Sequence, residues 1–386
     1  MTPLNGERNV LVFRTGQLGD TIVSLPAIHA IRAAYPDRNL VLLTPHQAGN
    51  LVSPLELFGK AKLFSQVLFY IPPSVRPNTW IHLLVLARKL RRLKPEAFFY
   101  LRDFPCKHVR RDKFFFQFVC GVRHSYGLNG SSYIFNRRDA SGRLLRYPSE
   151  AERLLGIVRE ASADVQMQAD VDFTLPISER ESFRIESLWR ENEMRPDQWI
   201  FGFGPGSKMA AKRWPLDRFV EVAKKLLAHS ACFRVMIFGG SEDFALGEEM
   251  KRALGEKVVN VAGQLTVLES AEALRHCRLY IGNDTGVMHL AAAVGTPCVT
   301  IFSARDHPGR WEPYGANHIV LRKDPDCAGC LLEVCTERKM VCLSEITVSE
   351  VLEAVERVLK APRDNLVVDS RKIAAVTKRP DQNIGG

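Results

Sequence analysis

The stretch LYIGNDTGVMHLAAAVGTPCVTIF (Leu279–Phe302) constrains the fold more than any other part of the chain. It reads as an apolar strand, a polar turn, a helix of small apolar residues, a second turn and another apolar strand. Strand–helix–strand alternation implies a mostly parallel sheet with helices on its faces.

The same alternation runs through the rest of the chain. Asn9–Phe13, Asn39–Leu43, Gln66–Tyr70, Ala97–Leu101 and Val122–Tyr126 read as strands. Helices are expected over Asp20–Tyr35, kinked by Pro26, over Thr79–Leu93, near Lys113–Cys120 and over Ser149–Glu160. Periodicity weakens over Ala161–Pro196, which reads as a linker. It restarts with strands at Ile200–Phe203, Arg234–Phe238, Val258–Val261, Arg278–Ile281 and Cys298–Ile301. Further helices are expected at Pro215–Ala228, Glu242–Leu254 and Thr347–Leu359. A chain of 386 residues suits two domains. We expect them at 1–185 and 186–360, followed by a polar, mobile tail at 361–386. In such folds ligands bind beyond the carboxyl ends of the strands, here in the cleft between two sheets.

Charge is distributed unevenly. Residues 1–185 hold 26 Lys+Arg against 16 Asp+Glu, while residues 186–386 hold 27 of each, so the first half carries the entire net charge of +10. The excess is visible in RKLRRLK (Arg88–Lys94), in HVRRDK (His108–Lys113) and at Arg137, Arg138, Arg143 and Arg146. Each cluster alone reads as a solvated face. Together they suit a polyanionic partner: anionic lipid, phosphorylated glycan or nucleic acid. Nucleic acid fits least, because the basic motif interleaved with aromatics that grips single-stranded RNA is missing. The longest apolar run, WIHLLVLA (Trp80–Ala87), is far short of the roughly 18–20 residues that span a bilayer, so no transmembrane helix is expected. The opening MTPLNGERNV lacks the layout of a signal peptide, which implies a cytoplasmic location. Nine cysteines, an odd number, then read as reduced thiols.

Four stretches carry candidate chemistry. In RTGQLGD (Arg14–Asp20), Gly16 and Gly19 precede a carboxylate at a helix start. Asp20 reads either as a helix cap or as a general base at the cleft. In GNDTGVMH, Thr285 and Gly286 fall where the first N–H groups of a helix are unpaired, a site that receives phosphate well. His289 lies one turn further on and either faces the same ligand or is a buried core histidine. Asp284 is either a cap or part of the site. In GPGSKMAAKRWP (Gly204–Pro215), Ser207, Lys208 and Lys212 follow a strand, and the lysines can balance diphosphate charge without a metal. In GGSEDF, Glu242 is either a first-turn helix acid or an acceptor for ribose hydroxyls. Separately, Cys327, Cys330, Cys335 and Cys342 are spaced C-x2-C-x4-C-x6-C. They read as a structural thiol cluster or disulfide-capable loop, with zinc or an iron–sulfur cluster as the alternative.

Taken in order, RTGQLGDTIVSLPAIHAIRAAYP (Arg14–Pro36), KRWP (Lys212–Pro215), GGSED (Gly239–Asp243) and GNDTGVMHLAAAVGTP (Gly282–Pro297) resemble glycosyltransferase family 9, the heptosyltransferases. The likeness runs from about Asn9 to about Leu359. It implies the GT-B architecture: α/β, with two Rossmann-like doubly wound domains and an interdomain cleft. It implies inverting transfer of a sugar from a nucleotide-sugar donor, ADP-heptose in the family, to a lipopolysaccharide core acceptor, without metal or cofactor. By the resemblance, residues 1–185 bind the acceptor and 186–360 the donor. Asp20 matches the catalytic base, in a loop with Gly16 and Gly19 near donor and acceptor. Lys212 matches the diphosphate-contacting lysine, and Asp284, Thr285, Gly286 and His289 match the donor-binding loop. Ser207 and Glu242 match further donor contacts. The segment Gly204–Ala211 departs from the family's threonine-containing version, which bears on donor identity. Family acceptors are anionic glycolipids, so the basic half implies peripheral association with the cytoplasmic face of the inner membrane. Two other readings compete. A GT-B nucleotide-sugar epimerase needs more acid/base groups in the cleft than Asp20 and His289 supply. A non-catalytic nucleotide- or RNA-binding protein would use the basic half.

Overall fold

The computed structural model describes residues 8–45, 57–58, 63–71, 79–102, 109–128, 137–161 and 171–360. The expected tail at 361–386 and part of the expected linker, 162–170, lie outside the described residues.

Two parallel sheets organise the chain. The first contains β1 (Asn9–Phe13), β2 (Asn39–Pro45), β3 (Gln66–Tyr70), β4 (Ala97–Tyr100) and β5 (Ser125–Tyr126), in the order β3-β2-β1-β4-β5. The second contains β6 (Trp199–Gly204), β7 (Phe233–Ile237), β8 (Val258–Asn260), β9 (Cys277–Asn283), β10 (Cys298–Phe302) and β11 (His318–Arg322), in the order β11-β10-β9-β6-β7-β8. Every strand pairing in both sheets is parallel. β1 is buried along its whole length because it lies inside its sheet, between β2 and β4. That position explains its unbroken apolar run NVLVF. In each sheet the strand order reverses once: between β1 and β4, and between β6 and β9. These are two Rossmann-like units, the GT-B arrangement.

The helices, in chain order, are α1 (Leu18–Val23), α2 (Leu25–Ala34), α3 (Thr79–Leu93), α4 (Val109–Phe114, continuing as a π-helical turn Phe115–Val119) and α5 (Glu150–Glu160). They continue with α6 (Glu179–Glu191), α7 (Leu216–His229), α8 (Phe244–Leu254), α9 (Val267–Arg275), α10 (Gly286–Ala293), α11 (Val341–Ser344) and α12 (Val348–Lys360).

Three layers of apolar packing result. Leu86, Ala87, Leu90 and Phe116 from α3 and the π turn cover the outer face of the first sheet over Leu11, Val41 and Phe98. Helices α7 and α12 cover one face of the second sheet through Phe219, Val222, Val351 and Val355. Between the sheets, a single cluster runs from Val10, Ile28 and Leu154 to Met236, Tyr280 and Met288. The two halves therefore share a continuous buried layer.

Two expectations need correction. The single helix over Asp20–Tyr35 is two helices, broken at Ser24; Pro26 sits in the first turn of α2, where its missing N–H leaves no helical bond unmade. The expected linker contains α6, whose Ser178–Glu181 capping pair and buried Ile185 and Leu188 hold it against α9. α6 spans the 185/186 boundary drawn from the sequence. The second half also contains α9 and β11, which sequence patterning did not reveal: α9 is marked by a Thr266–Glu269 capping box, and β11 is a half-buried edge strand.

Candidate active site

The loops leaving β1, β6 and β9 stand at the two points where strand order reverses, the positions where open α/β sheets bind ligands. Three of the four candidate stretches from the sequence fall there; the fourth, GGSEDF, follows β7.

In the first loop, Gly16 adopts φ +120°, and a Cβ there would overlap the Asp20 carboxyl group. Only glycine fits such a turn. Asp20 is the third helical residue of α1, and its Oδ2 accepts the Gln17 backbone N–H at 2.8 Å. It thus serves as a helix-start acid one turn inside the cap position, with its side chain still 21% exposed. Beneath it Arg14 is fully buried. The Arg14 guanidinium donates to the Leu101 carbonyl (Nη1, 2.6 Å) and to the Asp20 carbonyl (Nε, 3.0 Å), and its Nη2 lies 3.6 Å from Asp20 Oδ1. One cation therefore ties the ends of β1 and β4 together at the reversal point and sets the position of Asp20. The sequence offers Arg14 no more prominence than any basic residue after a strand; only its burial distinguishes it.

In the second half, Lys212 Nζ and Asp284 Oδ2 form an ion pair at 2.6 Å, both largely buried. Lys212 is carried by a short 3-10 turn, Ala210–Lys212. Asn283, wholly buried at the end of β9, holds that segment in place: its Oδ1 accepts the Trp214 N–H at 3.1 Å, and its Nδ2 donates to the Pro205 carbonyl at 2.7 Å. Sequence reading passed over Asn283, although it directly precedes Asp284 in GNDTG. Thr285 caps α10, its hydroxyl facing the Met288 N–H at 3.5 Å, and Gly286 opens the helix. His289 is buried, with its ring 6.3 Å from that of Trp311. Burial pushes its pKa down to about 4, with Asp284 opposing and Lys212 reinforcing the shift, so the imidazole is neutral at pH 7.

These two loops meet. A Cβ on Gly286 would lie 2.9 Å from Leu18 Cβ, and one on Gly19 would lie 3.0 Å from His289 Cδ2. The first turns of α1 and α10 therefore touch through glycines. That contact brings together Gly16, Gly19 and Asp20 from one half with Thr285, Gly286 and His289 from the other, backed by Asp284 and Lys212.

The remaining candidates lie around this centre. Ser207 is buried, and its carbonyl accepts from Arg213 Nε at 2.6 Å; Lys208 is exposed. Glu242 is exposed on the 3-10 turn Ser241–Asp243 after β7, one strand out from the reversal point. Its neighbour Asp243 is the buried acid. It accepts the Gly240 N–H at 3.1 Å and packs against Gly206 and Gly239, and burial raises its pKa.

The cysteine loop forms a wall beside Lys212, because the Glu333 carbonyl accepts the Ala211 N–H at 2.9 Å and Gly329 N–H reaches the Ala304 carbonyl at 2.7 Å. Cys327, Cys330, Cys335 and Cys342 are free thiols. Burial raises the pKa of Cys342, and the other three thiols add to the shift. Among the described residues no group of three or more His, Cys, Asp or Glu side chains is disposed to hold a metal ion.

The arrangement provides a carboxylate open to solvent, a helix N-terminus and a lysine on opposite sides of one seam. It suits proton removal from a neutral nucleophile and stabilisation of a departing diphosphate.

Similarity to known proteins bears on the fold and the family. Residues 155–341 match glycosyltransferase family 9 (heptosyltransferase). That span takes in the motifs of the second sheet, while Asp20 lies before it. The lipooligosaccharide heptosyltransferase 2 of Haemophilus influenzae is 23% identical over 309 residues, covering 76% of this chain and 83% of the relative. Among solved structures, a family 9 glycosyl transferase from Veillonella parvula overlays with a TM-score of 0.69 at 19% identity, covering 91% of this chain and 97% of its own. An Escherichia coli ADP-heptose LPS heptosyltransferase II overlays with a TM-score of 0.63 at 21% identity, covering 91% and 98%.

Proposed function

Because the chain belongs to glycosyltransferase family 9, we propose that it transfers heptose from ADP-heptose to a lipopolysaccharide core or related surface-glycan acceptor, with inversion and without a metal. The single observation that carries this reading is the glycine contact between the first turn of α1, which carries Asp20, and the Thr285–His289 turn.

In this mechanism the donor diphosphate lies against the N-terminus of α10. Lys212 and the free N–H groups of that helix face it, which supplies the positive charge that a metal would otherwise bring. Asp284 holds the lysine at the helix start. Neutral His289 contributes a hydrogen bond and no charge. The acceptor hydroxyl approaches from the side of the first sheet. Asp20 takes its proton as the oxygen attacks the anomeric carbon, on the face opposite the diphosphate. The bond to the diphosphate breaks, and ADP leaves with the electron pair. Arg14 keeps the carboxylate aimed while the Gln17 N–H holds one of its oxygens. Ser207 and Glu242 are proposed as outer donor contacts, Gly16 and Gly19 as the close-approach positions. Residues 1–185 are proposed as the acceptor half and 186–360 as the donor half, with the enzyme working at the cytoplasmic face of the inner membrane. No helix among the described residues is long and apolar enough to cross a membrane.

Asp20→Asn tests the reading. Turnover should fall by about 10²–10⁴-fold, the usual worth of a general base, while calorimetric affinity for ADP-heptose stays within a factor of about two. Unchanged turnover would remove Asp20 from the chemistry. Product analysis separates transfer from epimerisation, since only transfer yields a heptosylated acceptor with inverted anomeric configuration.

A further inference from the structure

We infer that the outer surface formed by α3 and α4 of the first half is a docking face for an anionic lipid bilayer. The inference rests on the proposed glycolipid acceptor and names the surface that brings the enzyme to it.

The outward rows of these helices carry large apolar side chains. On α3, Ile81, Leu84 and Val85 are between 49% and 54% exposed, while Leu86, Ala87 and Leu90 face the sheet. On α4 and its π turn, Phe114 and Phe118 are 60% and 69% exposed, with ring centroids 5.5 Å apart. The helices are neighbours: Arg91 Nε donates to the Val119 carbonyl at 2.8 Å, and Phe116 shares a core with Leu86 and Leu90. Their orientation is fixed from below. Buried Asp112 accepts from Tyr100 Oη at 2.7 Å and from Arg102 Nη1 at 3.0 Å, so the Arg110–Phe114–Phe118 row points outward. Isolated exposed apolar residues are unremarkable, but five on two adjoining helices form a patch that water disfavours.

Cations border that patch. Arg88, Lys89 and Arg92 continue the exposed side of α3 beyond the apolar residues, and Arg110 opens the exposed row of α4. Apolar side chains beside exposed Arg and Lys on a helix are the pattern of a segment lying in the headgroup boundary of an anionic membrane. A nucleic acid would use the cations and leave the aliphatic row without a partner. Position supports the assignment. In a strand–helix–strand unit the helix runs back against the strands, so the first turns of α3 and α4 lie at the carboxyl ends of β3 and β4, the end that also carries Asp20. The apolar part of α3 is therefore its cleft-side end, where a lipid-anchored acceptor must enter.

Flotation of the full-length protein with vesicles tests this, using phosphatidylethanolamine with phosphatidylglycerol against phosphatidylcholine alone, with neither donor nor acceptor present. Wild-type protein should float with the anionic vesicles only, and raised salt should release it. Arg88→Gln/Arg92→Gln/Arg110→Gln should lower partitioning about 100-fold, at roughly fivefold per cation removed. Leu84→Ser/Phe118→Ser should lower it about tenfold or more, with no loss of melting temperature because both side chains are exposed. Wild-type protein that stays with the soluble fraction, floats equally with phosphatidylcholine, or binds oligouridine instead of vesicles overturns the inference. So does either variant floating like the wild type. Turnover on a water-soluble, lipid-free acceptor is measured separately: if it fails while flotation succeeds, the transferase reading falls and the docking face stands.

Discussion

His289 shows how one buried side chain sets a pH limit. Its pKa is about 4 in the folded chain against about 6.5 when exposed. Above pH 6.5 it is neutral in both states. Between 6.5 and 4 the unfolded chain binds the proton and the folded chain does not, so stability falls as pH drops through that window. His289→Gln removes this contribution. The melting temperature of the variant should therefore decline less steeply than that of the wild type from pH 6.5 to 4, as read by scanning calorimetry. Parallel profiles would show that the histidine is more solvated than its burial indicates. Arg14 makes a different kind of residue-scale prediction. Arg14→Lys keeps a charge but cannot fork between the Leu101 and Asp20 carbonyls. Because it acts through Asp20, kcat should fall tenfold or more, on the order of the cost of a misplaced reacting group, while KM for the donor changes little. An equal loss in donor KM would mean that the arginine shapes the donor pocket.

At the scale of elements, the seam depends on two helix ends that touch through backbone. Gly286→Ala puts a methyl 2.9 Å from Leu18 Cβ and 3.1 Å from Gly19 N. Overpacking of this kind costs about 1–3 kcal/mol, or about 1 °C of melting temperature per kcal/mol when both halves unfold as one cooperative unit. Turnover should fall further than stability alone explains, because α1 carries Asp20 and moves as a unit away from α10. A variant with wild-type kcat would show that the helix ends need not meet during the reaction. The elements themselves were unevenly legible. β1, β6 and β9 stood out because strands inside a parallel sheet are apolar throughout. The turns after them stood out because glycine, acid and lysine at a strand end have few structural uses in common. α6 was missed because seven of its thirteen residues are charged, so its apolar positions are sparse. Arg14, Asn283 and Asp243 were missed for a related reason: what matters is their burial and their reach to distant carbonyls and amides, which residue type does not encode.

At the scale of the molecule, one apolar layer is shared by both sheets and one seam is lined by both halves. A ligand in that seam should stabilise the halves together, so donor binding should move a single cooperative unfolding transition. The predicted shift follows from linkage: about 2.7 kcal/mol at a donor concentration 100 times Kd. A panel of ADP-, GDP-, UDP- and dTDP-sugars in the presence of a chelator reads this directly. ADP-heptose should raise the melting temperature of the whole transition. Lys212→Gln should abolish most of the shift, since it removes the cation facing the diphosphate and leaves Asp284, otherwise neutralised at 2.6 Å, to repel it. Restoring part of the shift with Lys212→Gln/Asp284→Asn would assign the loss to that unpaired carboxylate. A response to another nucleotide would keep the diphosphate site and change the donor. If the second half alone were stabilised, the transition would split in two, and the donor would be bound by the second sheet without engaging Asp20.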